Sequence, residues 1–361
     1  MTRRKVVIAS LLLIICIIIR IYSLNAMRVE MGYSTHFFLR ISTALRSSFG
    51  FIPFSIGDIL FGIIGAWVLW KLSRLFIFLF SGPKNSVVFA SIKKLSYQLF
   101  ITACYIYIVF NILWGINYNR KGIAWQLGLN LKEYSTQELK QLNCLLIDKI
   151  NTCKLVLIKN KILYPSNAEL FKMLDASYKN AAVLYPFLKY DPVSFKSSMW
   201  GEFGNYAGFT GYYNPVTGEA QLNTTIPKFL QPFTACHEVA HQLGYAKERE
   251  ANFIGYLAAV ASADTLFHYS VYLDLFSYAN RNLYNNDSLS ARLYKKELLP
   301  SVKADIREWV AFNRKHVGKI EPFIRWLYGI YLQNNQQPNG MNSYDEVTGF
   351  LLAYYKKFGK I

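Results

Sequence analysis

Two histidines and a glutamate occupy positions that a helix would bring to one place. His237 and His241 are four residues apart, and Glu238 directly follows the first of them. Residues i and i+4 share a face of a helix, so the two imidazoles can point at one ion, and nitrogen ligands suit Zn²⁺. Glu238 would flank this ion and take a proton from a water whose pKa zinc lowers from about 16 to around 7. The pattern predicts a zinc site with Glu238 as the general base.

The third protein ligand is expected among the residues that follow, because a catalytic zinc usually has three protein ligands and one open position. Lys247 stands six positions past His241, where a metzincin would carry a histidine. The nearby groups that can bind zinc are the carboxylates of Glu248 and Glu250. The sequence therefore predicts a carboxylate ligand and leaves these two alternatives open.

Glu248 is followed by Ala251 and Asn252, and this run resembles the Glu-x-x-Ala-Asp turn of the gluzincin metallopeptidases. The resemblance implies that Glu248 binds zinc, that Ala251 allows close helix packing, and that Asn252 supports a ligand histidine from behind. Asn252 stands where the gluzincins carry Asp. Because short-linker gluzincins have a spacing comparable to that of Glu250, the resemblance favours Glu248 without removing Glu250.

The helix that carries the histidines is predicted from its ends, since Pro232 suits a first turn and Gly244 suits a terminus. Two short extended runs around residues 214–218 predict a β-hairpin just before it. The run 218–223 is our candidate for an edge strand that would bind an extended peptide. Two of the five cysteines lie in apolar membrane segments, and the other three include no CxxC pair and cannot all pair among themselves, which argues against a disulfide framework. Cys236 is interpreted as a core residue.

Apolar residues make up 53% of the chain, and the excess lies in its first third. We predict a membrane anchor over residues 1–116, followed by a mainly helical α+β zincin-like domain over residues 117–361. Serines followed three residues later by glutamate predict helix starts at Ser135 and Ser166. The bilayer is an expected partner, and the three predicted transmembrane helices cover about 6–22, 59–80 and 97–116.

Most of the formal net charge of +18 lies beside the apolar segments. Residues 1–116 hold 12 Lys and Arg against 2 acids, whereas residues 117–361 hold 28 against 20. We interpret the first group as topology signals and lipid contacts, and nucleic acid is excluded as a partner because no basic binding module is recognisable. The charges that predict cytoplasmic ends are Arg3, Arg4, Lys5, Lys71, Arg74, Lys84, Lys93 and Lys94.

With three spans, this orientation places residues 117–361 outside the cytoplasm. Arg28, Arg40 and Arg46 lie in the first loop and oppose the assignment. No small-x-small cleavage site follows the first apolar segment, which is therefore expected to remain as a span.

Longer runs resemble an uncharacterised family of bacterial membrane proteins that have a few N-terminal spans and a C-terminal zincin-like domain. These runs are His-Glu-Val-Ala-His-Gln-Leu-Gly-Tyr from His237, Glu-Arg-Glu-Ala-Asn-Phe-Ile-Gly-Tyr-Leu from Glu248, Pro53-Phe-Ser-Ile-Gly-Asp58 and Asn339-Gly-Met-Asn-Ser-Tyr344. The resemblance covers nearly the whole chain and implies a metallopeptidase of the cytoplasmic membrane, without supplying its substrate.

The sequence as a whole predicts a membrane-anchored zinc peptidase that acts on peptide or protein substrates. Two alternatives stay open: a non-catalytic envelope scaffold or binding protein that zinc stabilises, and a zinc amidase that acts on a non-peptide cell-wall amide. Charged residues 247–250 follow the histidines too closely for a membrane span, which argues against an intramembrane protease.

Overall fold

A computed structural model describes residues 3–81, 85–318 and 320–361, so Lys84 lies outside the described residues. The helices are α1 Arg3–Ser23, α2 Ala26–Arg28, α3 Phe38–Phe49, α4 Ile56–Phe80, α5 Asn85–Leu113, α6 Ile123–Gln126, α7 Thr136–Lys159, α8 Asn167–Leu184, α9 Gly201–Ala207, α10 Gln231–Gln242, α11 Glu248–Val260, α12 Thr265–Asn286, α13 Ser288–Glu297, α14 Pro300–His316, α15 Ile320–Asn334 and α16 Val347–Phe358. A π-helix covers Val29–Phe37, and 3-10 turns cover Gly115–Asn119, Pro186–Leu188, Lys228–Leu230 and Gly340–Tyr344. The strands are β1 Phe195–Ser197, β2 Gly211–Asn214 and β3 Glu219–Leu222.

Among the described residues, three helices are long and apolar enough to cross a membrane, as judged by length and composition. They are Arg3–Ser23, Ile56–Phe78 and Ser91–Leu113, and these three segments are called the spans below. Few of their side chains are buried by the protein, as expected of helices whose apolar surface faces lipid. The third span ends three residues before its predicted limit, because Trp114 leaves the helical conformation and a 3-10 turn begins at Gly115.

The predicted hairpin is present, and it belongs to a small sheet of strand order β1-β3-β2 among the described residues. Strand β2 pairs antiparallel with β3, whereas β1 pairs parallel with the other side of β3. The prediction that residues 218–223 form an edge strand is therefore wrong: β3 is the central strand, and β1 occupies the edge that a peptide would need. The hairpin strand that lies at an edge of this sheet is β2.

Helix α10 carries the two histidines and ends as its sequence predicts. Pro232 lies in its first turn, where a missing backbone N–H costs nothing. Gly244 follows the last turn with a φ of +89°, a conformation that favours glycine. The predicted capping boxes also form, at Ser135 before α7 and at Ser166 before α8.

Helix α11 packs very closely on α10 at Gly255. Ala251 is fully buried, and a Cβ added to Gly255 would lie 3.2 Å from the backbone nitrogen of His237. Close approach of the two backbones fixes the distance between the histidines and the first turn of α11.

The segment between the first two spans packs against the C-terminal region. Val29 and Phe38 are fully buried, and the Ser42 hydroxyl donates to the carbonyl oxygen of Gln242 at 3.1 Å. Near the start of α4, the backbone N–H of Gly57 donates to Glu219 at 2.7 Å. Packing therefore joins residues on both sides of the predicted border at 116/117.

Candidate metal centre

His237, His241 and Glu248 form one buried group. The Oε2 atom of Glu248 lies 3.2 Å from Nε2 of His237 and 3.4 Å from Nε2 of His241. The two imidazole rings stand nearly perpendicular, with centroids 4.7 Å apart. Helix α10 presents both rings from one face, and the start of α11 brings the carboxylate to them.

Both histidines are oriented by hydrogen bonds from their other ring nitrogen. Nδ1 of His237 donates to Oδ1 of Asn252 at 2.7 Å, and Nδ1 of His241 donates to the carbonyl oxygen of Tyr245 at 2.8 Å. In a neutral imidazole, a proton on Nδ1 leaves the lone pair on Nε2. Both Nε2 atoms therefore face Glu248 in the orientation that a metal requires.

The charges within this group favour a cation. Although burial opposes ionisation of His241, the neighbouring Glu248 carboxylate raises the pKa of this histidine to about 9. Glu248 is buried as well, yet the two histidines hold its pKa well below the usual range of a carboxyl. Glu248 is thus an ionised and buried carboxylate, which would attract a cation.

Two of the separations between ligand atoms fit a tetrahedral zinc shell. Two ligand atoms at about 2.0–2.1 Å from a tetrahedral ion are about 3.3–3.4 Å apart, close to the two separations between nitrogen and oxygen. Oε2 of Glu248 has no hydrogen-bond partner within the part of the chain that the structure describes. An ion would satisfy this buried oxygen, and two imidazoles with one carboxylate are a donor set that suits zinc.

Glu238 lies beside the group and is 5% exposed. Burial raises the pKa of Glu238 to about 7, with the two histidines opposing the rise. Its Oε2 atom lacks a hydrogen-bond partner among residues 3–81, 85–318 and 320–361. Strand β2 begins directly against this side chain, since a Cβ added to Gly211 would lie 2.8 Å from Oε1 of Glu238.

Glu250 is buried in a different place. A Cβ on Gly122 would lie 2.1 Å from its Oε1 atom, and Lys247 Nζ is 3.9 Å from the same oxygen. Burial raises the pKa of Glu250, while Lys247 and Arg120 oppose the rise. The structure thus brings Glu248 to the histidines and leaves Glu250 beside Gly122 and the Lys247 ammonium group.

Two tyrosines that were not predicted from the sequence also lie beside the His-His-Glu group. The Tyr328 hydroxyl of α15 donates to Oε1 of Glu248 at 2.7 Å, which fixes the carboxylate. The Tyr344 ring lies nearly parallel to that of His237, with centroids 6.3 Å apart. Tyr344 stands in the run 339–344, which the resemblance had marked, whereas nothing in the sequence distinguishes Tyr328 from the other tyrosines.

These features define a mainly helical chain with three apolar helices and a buried His-His-Glu group. The chain belongs to the family of proteins of unknown function designated DUF3810, whose family model matches residues 33–352. No curated protein and no solved structure matches it. The predicted membership of an uncharacterised family is thereby confirmed, while the metal and the reaction stay predictions.

Proposed function

We propose that this protein is a membrane-anchored zinc peptidase of the gluzincin type, with a variant zincin-like domain. The observation that carries the proposal is the convergence of His237, His241 and Glu248 on one point. The Glu238 carboxyl group lies next to them, and its Oε2 atom has no hydrogen-bond partner among the residues that the structure describes. Zinc held there would supply Lewis-acid chemistry, acidifying water and polarising a carbonyl group.

The side chains have distinct roles in this proposal. His237, His241 and Glu248 hold the ion, and Asn252 and Tyr328 fix a histidine and the carboxylate from behind. Glu238 accepts a proton from the attacking water and delivers it to the departing amine, as a general base and then an acid.

Strand β2 is the element that would hold the substrate. Its first residue touches Glu238, and it lies at an edge of the sheet. An extended peptide adds to such an edge through backbone hydrogen bonds, which would place its carbonyl groups in front of Glu238.

The anchor sets the location of the proposed reaction. The three spans and the positive charges at their predicted cytoplasmic ends support a bilayer location with residues 114–361 on the outer side. Arg46, one of the opposing charges in the first loop, is buried. This residue therefore carries less weight as a topology signal than an exposed arginine would.

The test compares the full-length protein with its Glu238→Gln variant in detergent or nanodiscs. Both should bind one zinc per chain, because Glu238 is not a proposed ligand, but the variant should lose at least about 100-fold in peptide hydrolysis. Undiminished hydrolysis by Glu238→Gln would contradict the mechanism. A different outcome would support the scaffold alternative. In that outcome the wild type hydrolyses no peptide, and Glu238→Gln keeps both its zinc and its full biological function.

A further inference from the structure

The site lies at the ends of the spans, and this position restricts what can reach it. Trp114 directly follows Leu113, the last residue of the third span. Its indole Nε1 donates to the carbonyl oxygen of His241 at 3.3 Å, and the two rings have centroids 6.0 Å apart. The Trp114 side chain therefore reaches from the end of the third span to His241, a proposed zinc ligand.

Helix α15 exposes an apolar stripe next to the same span. Phe323, Trp326, Leu327 and Ile330 follow the i, i+3, i+4, i+7 spacing of one helix face, and Phe323 and Trp326 are 58% and 60% exposed. On the adjoining face, the Tyr331 ring contacts Phe110 of the third span, with centroids 6.2 Å apart. The stripe thus continues from the surface of the spans.

The residues at the start of α9 repeat this arrangement at the second span. The Trp200 indole donates to the carbonyl oxygen of Asp58, in the first turn of α4, at 3.1 Å. The backbone N–H of Met199 donates to the Asp58 carboxylate at 2.7 Å. Met199, Trp200 and Phe203 are all more than 40% exposed. A second apolar surface therefore adjoins a span at its outer end.

Both helices flank the candidate metal centre. Helix α15 supplies Tyr328 to Glu248, and α9 leads through residues 208–210 into β2, which touches Glu238. The exposed tryptophans and phenylalanines are residue types that favour the membrane–water interface. Water would solvate these surfaces poorly, whereas a bilayer around the spans would cover them.

We infer that the apolar surface formed by Met199, Trp200 and Phe203 and the apolar stripe of α15 insert into the outer interfacial layer of the bilayer, so that the site opens at the membrane surface. The substrate class that follows, which rests on the proposed function, is a peptide segment held close to that surface by its own membrane anchor. A freely soluble peptide would lack this placement.

The first experiment tests the inserted face independently of any activity. In full-length protein in nanodiscs of phosphatidylcholine and phosphatidylglycerol, the photo-cross-linker p-benzoyl-phenylalanine replaces Trp326 or, as a control, Leu293. Leu293 is 50% exposed on α13, which packs on α7 and α12. Lipid adducts should be at least tenfold more abundant at position 326, whereas equal yields or no adduct there would overturn the inference.

The second experiment tests the substrate class. One peptide is offered on an acyl anchor with a spacer of about 5 residues, which reaches at most about 17 Å, or with a spacer of about 40 residues. Hydrolysis should be at least tenfold faster with the short spacer, and Trp326→Ser should reduce this ratio at least threefold. Equal or faster hydrolysis with the long spacer would overturn the inference and leave the peptidase proposal intact. Absence of all hydrolysis would contradict the peptidase proposal and its substrate class, and the lipid adducts would still decide whether the face inserts.

Discussion

Asn252 accepts a hydrogen bond from the ring nitrogen of His237 that is not directed at Glu248, and it does so with an amide rather than a carboxylate. Its oxygen accepts the Nδ1 proton of His237 at 2.7 Å, and its nitrogen donates to the carbonyl oxygen of Tyr344. An amide can serve both contacts, whereas a carboxylate would face the Tyr344 carbonyl without a proton to donate. The geometry thus gives a reason for asparagine at a position where the gluzincins carry aspartate.

Asn252→Ala should therefore weaken zinc binding while leaving the three proposed ligands in place. Loss of such an outer partner typically costs about 10–100-fold in metal affinity. Competition with a zinc chelator measures the change, and Asn334→Ala provides an asparagine control on the exposed end of α15. Equal zinc affinity in the two variants would contradict a supporting role for Asn252.

The sequence predicted the site best at the scale of single residues. The spacing of His237 and His241 marks one face of one helix, so their approach needs only local structure. The approach of Glu248 depends on the turn between two helices, and for this reason spacing alone left Glu250 as an alternative. Tyr328 comes from a helix 80 residues further along the chain, and no local pattern could have indicated it.

At the scale of elements, the site depends on the packing of α10 against α11. Gly255 of α11 lies against the backbone of His237 on α10. An added Cβ would stand 3.1 Å from Cε2 of Phe233 and 3.2 Å from the His237 nitrogen, so the helices would have to separate.

Gly255→Ala is expected to destabilise the protein by about 1–3 kcal/mol, as overpacked cores do, and to weaken zinc binding. Thermal unfolding and chelator competition measure the two effects. Gly329→Ala on α15 is the matched control, since its Cβ would meet no atom within 4 Å. Unchanged stability and zinc binding in Gly255→Ala would contradict the close approach.

The sheet shows where local patterns stop being sufficient. Turn residues identified the hairpin β2–β3, because its two strands are neighbours in the chain. Strand β1 comes from residues 195–197 and pairs with β3 across an intervening helix. That long-range pairing made β3 central, and a pattern within residues 218–223 could not reveal it.

At the scale of the whole molecule, a buried ion pair joins the first interspan segment to the C-terminal region. Arg120 donates to Glu30 through Nη2 at 2.6 Å and through Nε at 2.9 Å, and both side chains are almost fully buried. Nη1 of Arg120 donates to the carbonyl oxygen of Gly244 at 3.1 Å, just after the histidine helix. The ion pair thus connects the membrane anchor to the candidate metal centre, in addition to the continuous polypeptide chain.

Glu30→Gln should destabilise the protein by about 3–5 kcal/mol, because it leaves the Arg120 charge buried without a partner. Arg325→Gln, which breaks an exposed pair with Glu321, should cost less than about 1 kcal/mol. Chemical unfolding of both variants in the same detergent measures the difference. Equal stabilities would show that the buried pair is not the stronger connection.

The Glu30–Arg120 pair should make the stability of the protein depend on pH. Burial opposes the charge of Glu30, but Arg120 lowers the pKa of this carboxyl below its ordinary value of 4.5. A carboxyl with a lowered folded-state pKa contributes stability that is present above about pH 4.5 and is lost as the pH falls toward the lowered value. The wild type should therefore lose its advantage over Glu30→Gln in that acidic range, which unfolding curves at several pH values can follow.

The packing of the first interspan segment also predicts that residues 117–361 are unstable alone. That fragment lacks Glu30 and the buried side chains of Val29 and Phe38. We expect it to lack the cooperative thermal transition of the full-length protein in detergent. A fragment that melts cooperatively at the full-length temperature would show that the packing across residue 116 contributes little.

The central claim is that zinc is held by His237, His241 and Glu248, and the most direct test is the zinc content of two matched variants. Full-length wild type and Glu250→Gln should each retain about one zinc per chain after gentle purification, whereas Glu248→Gln should lose most of it. A wild type with less than about a tenth of a zinc equivalent, or a Glu250→Gln variant that loses zinc while Glu248→Gln keeps it, would contradict the account.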